Sequence, residues 1–389
     1  MPETPDSTLY QPIIDEIRAW YKTPEKPIYL HEPLFIGNER KYVLDAIDST
    51  FVSSVGKYVN RFEEMMTEIT GAKYALAVVN GTCALHMALK LVGVKRNNEV
   101  LSQSLTFIAT ANAISYEGAI AHFIDVDKDT LAMSPDALKK RLEDVAEMRN
   151  GVCFNKQTGK RIAACVPMHT FGFPARIDEI VDICNKYNIP VVEDAAESLG
   201  SYYKGQHTGT FGTIATFSFN GNKTVTCGGG GALIMNDEAL AKRAKHITTT
   251  AKIPHKWEFA HDEIGYNYRM PNLNAALACA QLEQLQAYID NKRLTAAHYH
   301  AFFKQFDFVK HLAEPLSTSA NYWLNAIQFT DEKHRDAFLE YSNAQGIMTR
   351  PIWRLMNTLK MFKKCPAGDL SNSHFLEQTI VNIPSSVRV

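Results

Sequence analysis

Three short segments carry side chains that could act together on one ligand. Asn80-Gly-Thr-Cys-Ala84 follows an apolar run ending at Val79 and opens a helical pattern. There Gly81 permits a tight turn, while Thr82 and the free N–H groups of a first helical turn can hold an anion, favourably a phosphate. A plain strand-to-helix turn with Thr82 as N-cap would look the same. In Val191-Val-Glu-Asp-Ala-Ala-Glu-Ser-Leu-Gly200, Asp194 stands at the end of an apolar run. A carboxylate placed there can pair with a cationic ring nitrogen and keep it protonated; standing alone, it would be a solvated loop acid or an N-cap. In Thr216-Phe-Ser-Phe-Asn-Gly-Asn-Lys223, a lysine follows another apolar run in a small, polar turn. A Schiff-base lysine needs such a restricted pocket, where it can lose its proton; a lone lysine is usually surface decoration. The phosphate cradle, the acid and a lysine 29 residues after the acid together describe a pyridoxal phosphate site.

Such groups must be brought together by a scaffold, and the hydropathy pattern supplies one. Strands are expected at Tyr74–Val79, Glu99–Ser102, Ala121–Asp125, Ile162–His169, Pro190–Asp194 and Ala232–Met235. Helical spacing covers Thr82–Val92, Ile108–Tyr116, Pro135–Arg149 with Ser134 as N-cap, Ile177–Asn188 and Glu238–His246. Alternation of this kind gives an α/β fold, with a mostly parallel sheet covered by helices on both faces and ligands at the carboxyl ends of its strands. Before it lie an amphipathic segment, Pro12–Tyr21, a Pro-rich tether, Pro24–Pro27, and helical patterns at Gly37–Ile47 and Arg61–Ile69. After it come one long helix, Leu273–Arg293, and a smaller α+β lobe with a strand at Trp323–Phe329 and a helix at Lys333–Ala344. The expected division is an N-terminal extension (1–36), a large cofactor-binding domain (37–270) and a small C-terminal domain (271–389).

Composition removes several other classes. With 41 basic and 42 acidic residues in 389, the chain has no global electrostatic claim on nucleic acid or an anionic membrane. No apolar run reaches the roughly 18 residues of a membrane span, and the N-terminus lacks the basic and apolar regions of a signal peptide. Seven scattered cysteines form neither a disulfide framework nor a CxxC site. A cytoplasmic protein without metal is expected. Gly228–Gly231 lacks GxGxxG spacing and follows the lysine, so it reads as close backbone packing.

Five ordered motifs carry a family resemblance: Asn80-Gly-Thr-Cys-Ala-Leu85, Thr106-Phe-Ile-Ala-Thr-Ala-Asn112, Glu193-Asp-Ala-Ala-Glu197, Phe217-Ser-Phe-Asn-Gly-Asn-Lys223 and Gly265-Tyr-Asn-Tyr-Arg-Met-Pro271. From about Ile28 to the C-terminus the chain resembles the DegT/DnrJ/StrS sugar aminotransferases, which are fold-type I pyridoxal phosphate enzymes. Its Ile28-Tyr-Leu-His-Glu-Pro33 start and its Phe219-Asn-Gly-Asn-Lys223 form are most similar to the LegC-type branch, which aminates UDP-linked 4-keto-6-deoxy-N-acetylhexosamines. The resemblance implies that Lys223 carries the cofactor as a Schiff base and then shuttles a proton. It implies that Asp194 pairs with the ring nitrogen, that Gly81, Thr82 and Ser218 bind the phosphate, and that Phe107 stacks on the ring. Asn267 would reach the phosphate from the partner subunit of a homodimer. Glu197 stands where many relatives have Gln or His near the ring hydroxyl, and an ionised Glu could not donate there. His169 would lie beneath the cofactor or be a satisfied strand-end histidine. Glutamate is the implied amino donor. A sugar dehydratase of the same look would replace Lys223 by histidine, and a regulatory protein on a retired scaffold would not need Asp194 and Lys223 intact.

Overall fold

A computed structural model describes residues 7–388. Its central sheet is built from β1 (Tyr74–Val78), β2 (Glu99–Gln103), β3 (Ile120–Ile124), β4 (Ile162–Val166), β5 (Val192–Asp194), β6 (Ile214–Ser218) and β7 (Gly231–Met235). β4 and β3 flank β2 in parallel, β5 runs parallel to β6, and β7 lies antiparallel between β6 and β1. Parallel bridges at Cys165–Val191 and Met168–Asp194 join β4 to β5. The result is one surface in the order β1-β7-β6-β5-β4-β2-β3, in which β7 alone runs backwards. The sheet is mostly parallel, as the alternation of strands and helices requires.

Period-two alternation sends successive residues to opposite faces. Leu76, Val78, Leu233 and Met235 pack with α4 (Gly81–Leu91), α5 (Ile108–Tyr116) and α8 (Glu238–Thr248). Ala77, Ala215, Phe217, Ala232 and Ile234 pack on the other face with α3 (Lys57–Thr70) and α9 (Asn272–Leu282). β1, β5 and β6 point the same way, so the segments that follow them, opening at Asn80, Ala195 and Phe219, emerge along one edge.

Three local expectations give way to the structure. The helix beginning at Pro135 is capped by Ser134 as expected but ends at Val145. Ala146–Arg149 instead forms a hairpin with Val152–Asn155. Its turn is Asn150-Gly151, both with positive φ (50° and 79°), the dipeptide that favours a tight hairpin. The stretch read as one helix over Leu273–Arg293 is two, α9 and α10 (Leu285–Phe303). At the break, the Glu283 carboxylate accepts hydrogen bonds from Asn38 Nδ2 (2.8 Å) and the Tyr42 hydroxyl (2.6 Å), so tertiary contacts override an unbroken helical pattern. The N-cap of α4 is Asn80 and not Thr82: its Oδ1 accepts from Cys83 N–H at 2.8 Å.

A second, antiparallel sheet has the order Val309–His311, Asn325–Phe329, Ile380–Ile383, Arg350–Pro351. The first helix, Gln11–Tyr21, folds onto this lobe, where Tyr10, Ile13 and Ile17 pack with Tyr299, Phe303, Phe329 and Phe338. No helix among the described residues is long and apolar enough to cross a membrane.

Candidate active site

The edge that collects the ends of β1, β5 and β6 begins with an anion cup. With Asn80 engaging Cys83, the N–H groups of Gly81 and Thr82 belong to the first helical turn and have no intrahelical acceptor. Gly81 faces Ser218 so closely that a Cβ at position 81 would lie 2.9 Å from the Ser218 Cβ and 3.2 Å from its Oγ. Backbone amides, the positive end of α4 and a hydroxyl therefore converge where only glycine fits, an arrangement suited to a phosphate dianion. The glycine run supports the cup from behind: a Cβ on Gly231 would meet the Asn80 carbonyl at 2.4 Å, and one on Gly230 would meet Cys227 Sγ at 2.4 Å. Both glycines are there for close packing, as their spacing suggested.

Strand alternation then divides two adjacent carboxylates between different roles. Glu193 turns away from the cup and is fully used in holding the chain. Its oxygens accept from the N–H groups of Gly209 (2.7 Å), Phe211 (2.8 Å) and Gly212 (2.6 Å). Its fourth partner is His169 Nε2 at 3.0 Å. The Ala175 N–H donates to His169 Nδ1 at 3.0 Å, which leaves the ring proton on Nε2 and aims it at Glu193. His169 is thus a satisfied, fully buried strand-end histidine. Asp194 is buried beside it, yet among the described residues one of its oxygens accepts only from the Thr110 hydroxyl at 2.7 Å and the other only from Ala196 N–H at 3.2 Å. Burial raises its pKa, against the opposing pull of these two hydrogen bonds and of the Lys223 charge. A cationic partner would relieve that cost.

Lys223 completes the group. Its Nζ lies 3.1 Å from Glu197 Oε1 and 3.8 Å from the centroid of the Trp323 ring. The lysine sits in a narrow slot, its side chain 13 % exposed. Glu197 is buried, holds the Phe171 N–H at 2.9 Å through its other oxygen, and has its pKa pushed by burial up to about 7, with the Lys223 charge acting in the opposite sense. Trp323 is fixed from two sides: its indole N–H donates to the Asn222 carbonyl at 2.6 Å, and its own carbonyl accepts from the wholly buried Lys292 at 3.1 Å. Asn321 ties the lobes together by donating to the carbonyls of Glu197 and Leu199, each at 2.9 Å, and accepting from Trp323 N–H.

Of the other expected residues, Phe107 stands at the start of α5, 47 % exposed, with its ring 6.1 Å from that of Trp353. Asn267 is exposed on a segment that bridges Thr249 and runs beside β1, where Tyr268 O accepts from Val79 N–H at 2.9 Å. Thr110 belongs to the second of the five motifs, but the sequence assigns it no role of its own; its place one turn after Phe107 was the available signal. Trp323 carried no such signal, because nothing local ties it to a lysine 100 positions earlier.

An amide-lined cup, a buried acid short of partners and a lysine in a slot between a carboxyl and an indole fit the phosphate, ring nitrogen and aldehyde carbon of pyridoxal phosphate. Comparison with known proteins agrees. Residues 35–389 match the DegT/DnrJ/EryC1/StrS aminotransferase family. EpsN of Bacillus subtilis (strain 168), named as a pyridoxal phosphate-dependent aminotransferase, is 39 % identical over 337 residues, covering 87 % of this chain and 84 % of its own. The GDP-perosamine synthase of Escherichia coli O157:H7 is 36 % identical over 339 residues, covering 87 % and 88 %. In three dimensions, the aminotransferase TlmJ from Streptoalloteichus hindustanus superposes with a TM-score of 0.83 at 24 % identity, over 92 % of this chain and 93 % of that one; this likeness speaks to the fold. The chain belongs to the DegT/DnrJ/EryC1/StrS family and is a pyridoxal phosphate-dependent aminotransferase.

Proposed function

We propose that the enzyme moves an amino group from glutamate to C4 of a nucleotide-linked 4-keto-6-deoxy-N-acetylhexosamine carried on UDP, in the making of amino sugars for surface glycans. The observation that carries the catalytic reading is the placement of Lys223 Nζ 3.1 Å from a buried Glu197 carboxyl, on the same sheet edge as Asp194 and the Gly81 cup. Support for the substrate class comes from the 36 % identical relative, whose name is that of an enzyme making a nucleotide-linked sugar. The N-terminal motif favours the N-acetylated, UDP-linked member of the class.

When bound, the cofactor supplies an electron sink for the carbanion formed at the substrate's amine-bearing carbon. The protein's own groups do the rest. Lys223 would hold the cofactor and would move the proton on and off the reacting carbon. Asp194 keeps the ring nitrogen protonated. The Gly81 and Thr82 N–H groups and the Ser218 hydroxyl hold the phosphate, and Phe107 covers the ring. Glu197 is suited to donate to the ring hydroxyl in its protonated form, which burial favours by pushing its pKa up to about 7. Asn267 reaches the phosphate of the neighbouring chain in a homodimer.

The test is mass spectrometry of products formed from a panel of UDP- and GDP-linked 4-keto sugars with glutamate as donor. The expected result is a mass change for replacement of the C4 carbonyl oxygen by an amine, fastest with the UDP-linked N-acetylated sugar. Amination confined to GDP-linked sugars would overturn the nucleotide assignment, and no amination of any sugar would overturn the substrate class.

A further inference from the structure

The Ile28-Tyr-Leu-His-Glu-Pro33 segment has no part in the cofactor site, although it is held as firmly as a strand. Ile28 N–H donates to Gly346 O at 2.9 Å, and Met348 N–H donates back to Ile28 O at 2.8 Å. Ser385 N–H donates to Leu30 O, and Glu32 N–H donates to Ser386 Oγ, both at 2.8 Å. These four bonds bracket His31 and set it in the wall of a cavity of about 450 Å³ that is also lined by Asn222, Met348 and Arg350. Asn222 immediately precedes Lys223. Arg350 engages Asn343 Oδ1 at 3.0 Å and the Thr349 carbonyl at 2.8 Å.

Both ring nitrogens of His31 are closed off from solvent, and neither has a hydrogen-bond partner among the described residues. Buried polar atoms are nearly always paired, and an exception calls for a cause. Slack in the chain is not the cause here, because the backbone is pinned on either side of the ring. Burial pushes the imidazole well below its ordinary pKa, and the Lys292 and Lys223 side chains act in the same sense. The ring is therefore neutral, offering one N–H donor and one bare nitrogen acceptor. A neutral ring offers an anionic phosphate or carboxylate no charge to pair with, and Glu32 lines the same cavity. A neutral group that both donates and accepts matches it, and a pyranose presents such groups as hydroxyl and acetamido substituents.

We propose that His31 is a specificity-determining residue that hydrogen-bonds a neutral hydroxyl or acetamido substituent of the sugar while its keto carbon stands over Lys223. This rests on the reading of the substrate as a nucleotide-linked keto sugar. It also accounts for the path of the N-terminal segment, which crosses the small lobe and returns one side chain to the large lobe's lysine turn.

The experiment compares pyridoxal phosphate-loaded wild type, His31→Phe and His31→Gln. Phenylalanine keeps the ring shape without hydrogen bonds, and glutamine restores a neutral donor and acceptor. The donor half-reaction is followed by the cofactor's absorbance, the acceptor half-reaction by kcat/KM for the keto sugar. Calorimetry of the nucleotide-linked amino-sugar product gives a binding readout independent of turnover. For His31→Phe, the expected result is a fall of about 10- to 100-fold in kcat/KM for the keto sugar and a matching loss of product affinity, as for an unmet buried hydrogen bond. The donor half-reaction should stay within about twofold, and His31→Gln should recover part of the loss. Analogues lacking the acetamido group or single hydroxyls then identify the partner: removing the contacted group should cost the wild type much and His31→Phe little. Unchanged kinetics in His31→Phe, equal slowing of both half-reactions, or glutamine no better than phenylalanine would each overturn the proposal. A wild type that aminates no nucleotide-linked keto sugar would instead overturn the substrate reading on which it rests.

Discussion

Glu193 and Glu197 lie four residues apart, and the fold gives them opposite electrostatic surroundings. The first meets three backbone N–H groups and an imidazole N–H. The second meets one backbone N–H and the Lys223 ammonium, with burial outweighing both and raising its pKa from 4.5 to about 7. The consequence for stability has a definite sign. Between its unfolded value and about 7, the folded protein binds a proton at Glu197 that the unfolded chain has released. Stability from this group is complete below the unfolded pKa and is lost as pH rises through about 7. The shift corresponds to on the order of 3 kcal/mol. Glu197→Gln should therefore flatten the decline in stability of the cofactor-free protein between about pH 5 and pH 8. Denaturant unfolding at a series of pH values measures it, and parallel profiles for variant and wild type would refute the assigned protonation.

At the scale of elements, the α4 terminus shows how a turn becomes a ligand cup. Asn80 serves as the cap, which frees Gly81 and Thr82 to present their amides outward. Gly81→Ala should leave α4 intact but drive a methyl group against Ser218, at 2.9 Å from its Cβ. Overpacking of this kind costs about 1–3 kcal/mol, and if these two residues face the phosphate as proposed, the Kd for pyridoxal phosphate should rise roughly tenfold or more. Titration of the cofactor-free variant, followed by absorbance and circular dichroism, reads both quantities. Wild-type affinity would remove Gly81 from the cup. Other elements show where local pattern reading succeeds and fails. Asn150-Gly151 has a hairpin's chemistry, but the apolar spacing before it gave a helix through Arg149, which the structure ends at Val145. Nothing in the composition around Glu283 marked a break, because that break is made by Asn38 and Tyr42, more than 240 residues earlier.

The whole molecule leaves one expected contact outside the single chain. Asn267 is exposed beside the edge of β1, and the preceding segment displays Trp257, Phe259 and Ile264 at 74, 80 and 81 % exposure. An apolar face of this kind suits burial against a second copy. If Asn267 serves the partner's phosphate, each site needs residues from two chains. Lys223→Ala and Asn267→Ala chains, each poorly active alone, should then regain activity when co-refolded. In a mixed dimer, one site receives both the intact lysine and the intact asparagine. Random pairing puts half of the dimers in that form, each with one whole site, so about a quarter of wild-type activity should return. No recovery on mixing, or a fully active monomer in sedimentation, would place both residues in one chain's site.

By itself, the sequence determined what depends on neighbours along the chain. Apolar alternation set the strands, helical spacing set their covers, and the motifs around Gly81, Asp194 and Lys223 stated the chemistry, because turn geometry and a strand-end position are local properties. Tertiary structure decided what depends on distant partners and on exclusion of water. It chose Thr110 as the group that holds Asp194, laid Trp323 against Lys223, and satisfied His169 while leaving His31 without a partner among the described residues. It also raised the pKa of Glu197 by burying it. A residue's type fixes which bonds it can make, but its charge state and its partners follow from the dielectric and the packing around it, and these exist only once the chain has closed on itself.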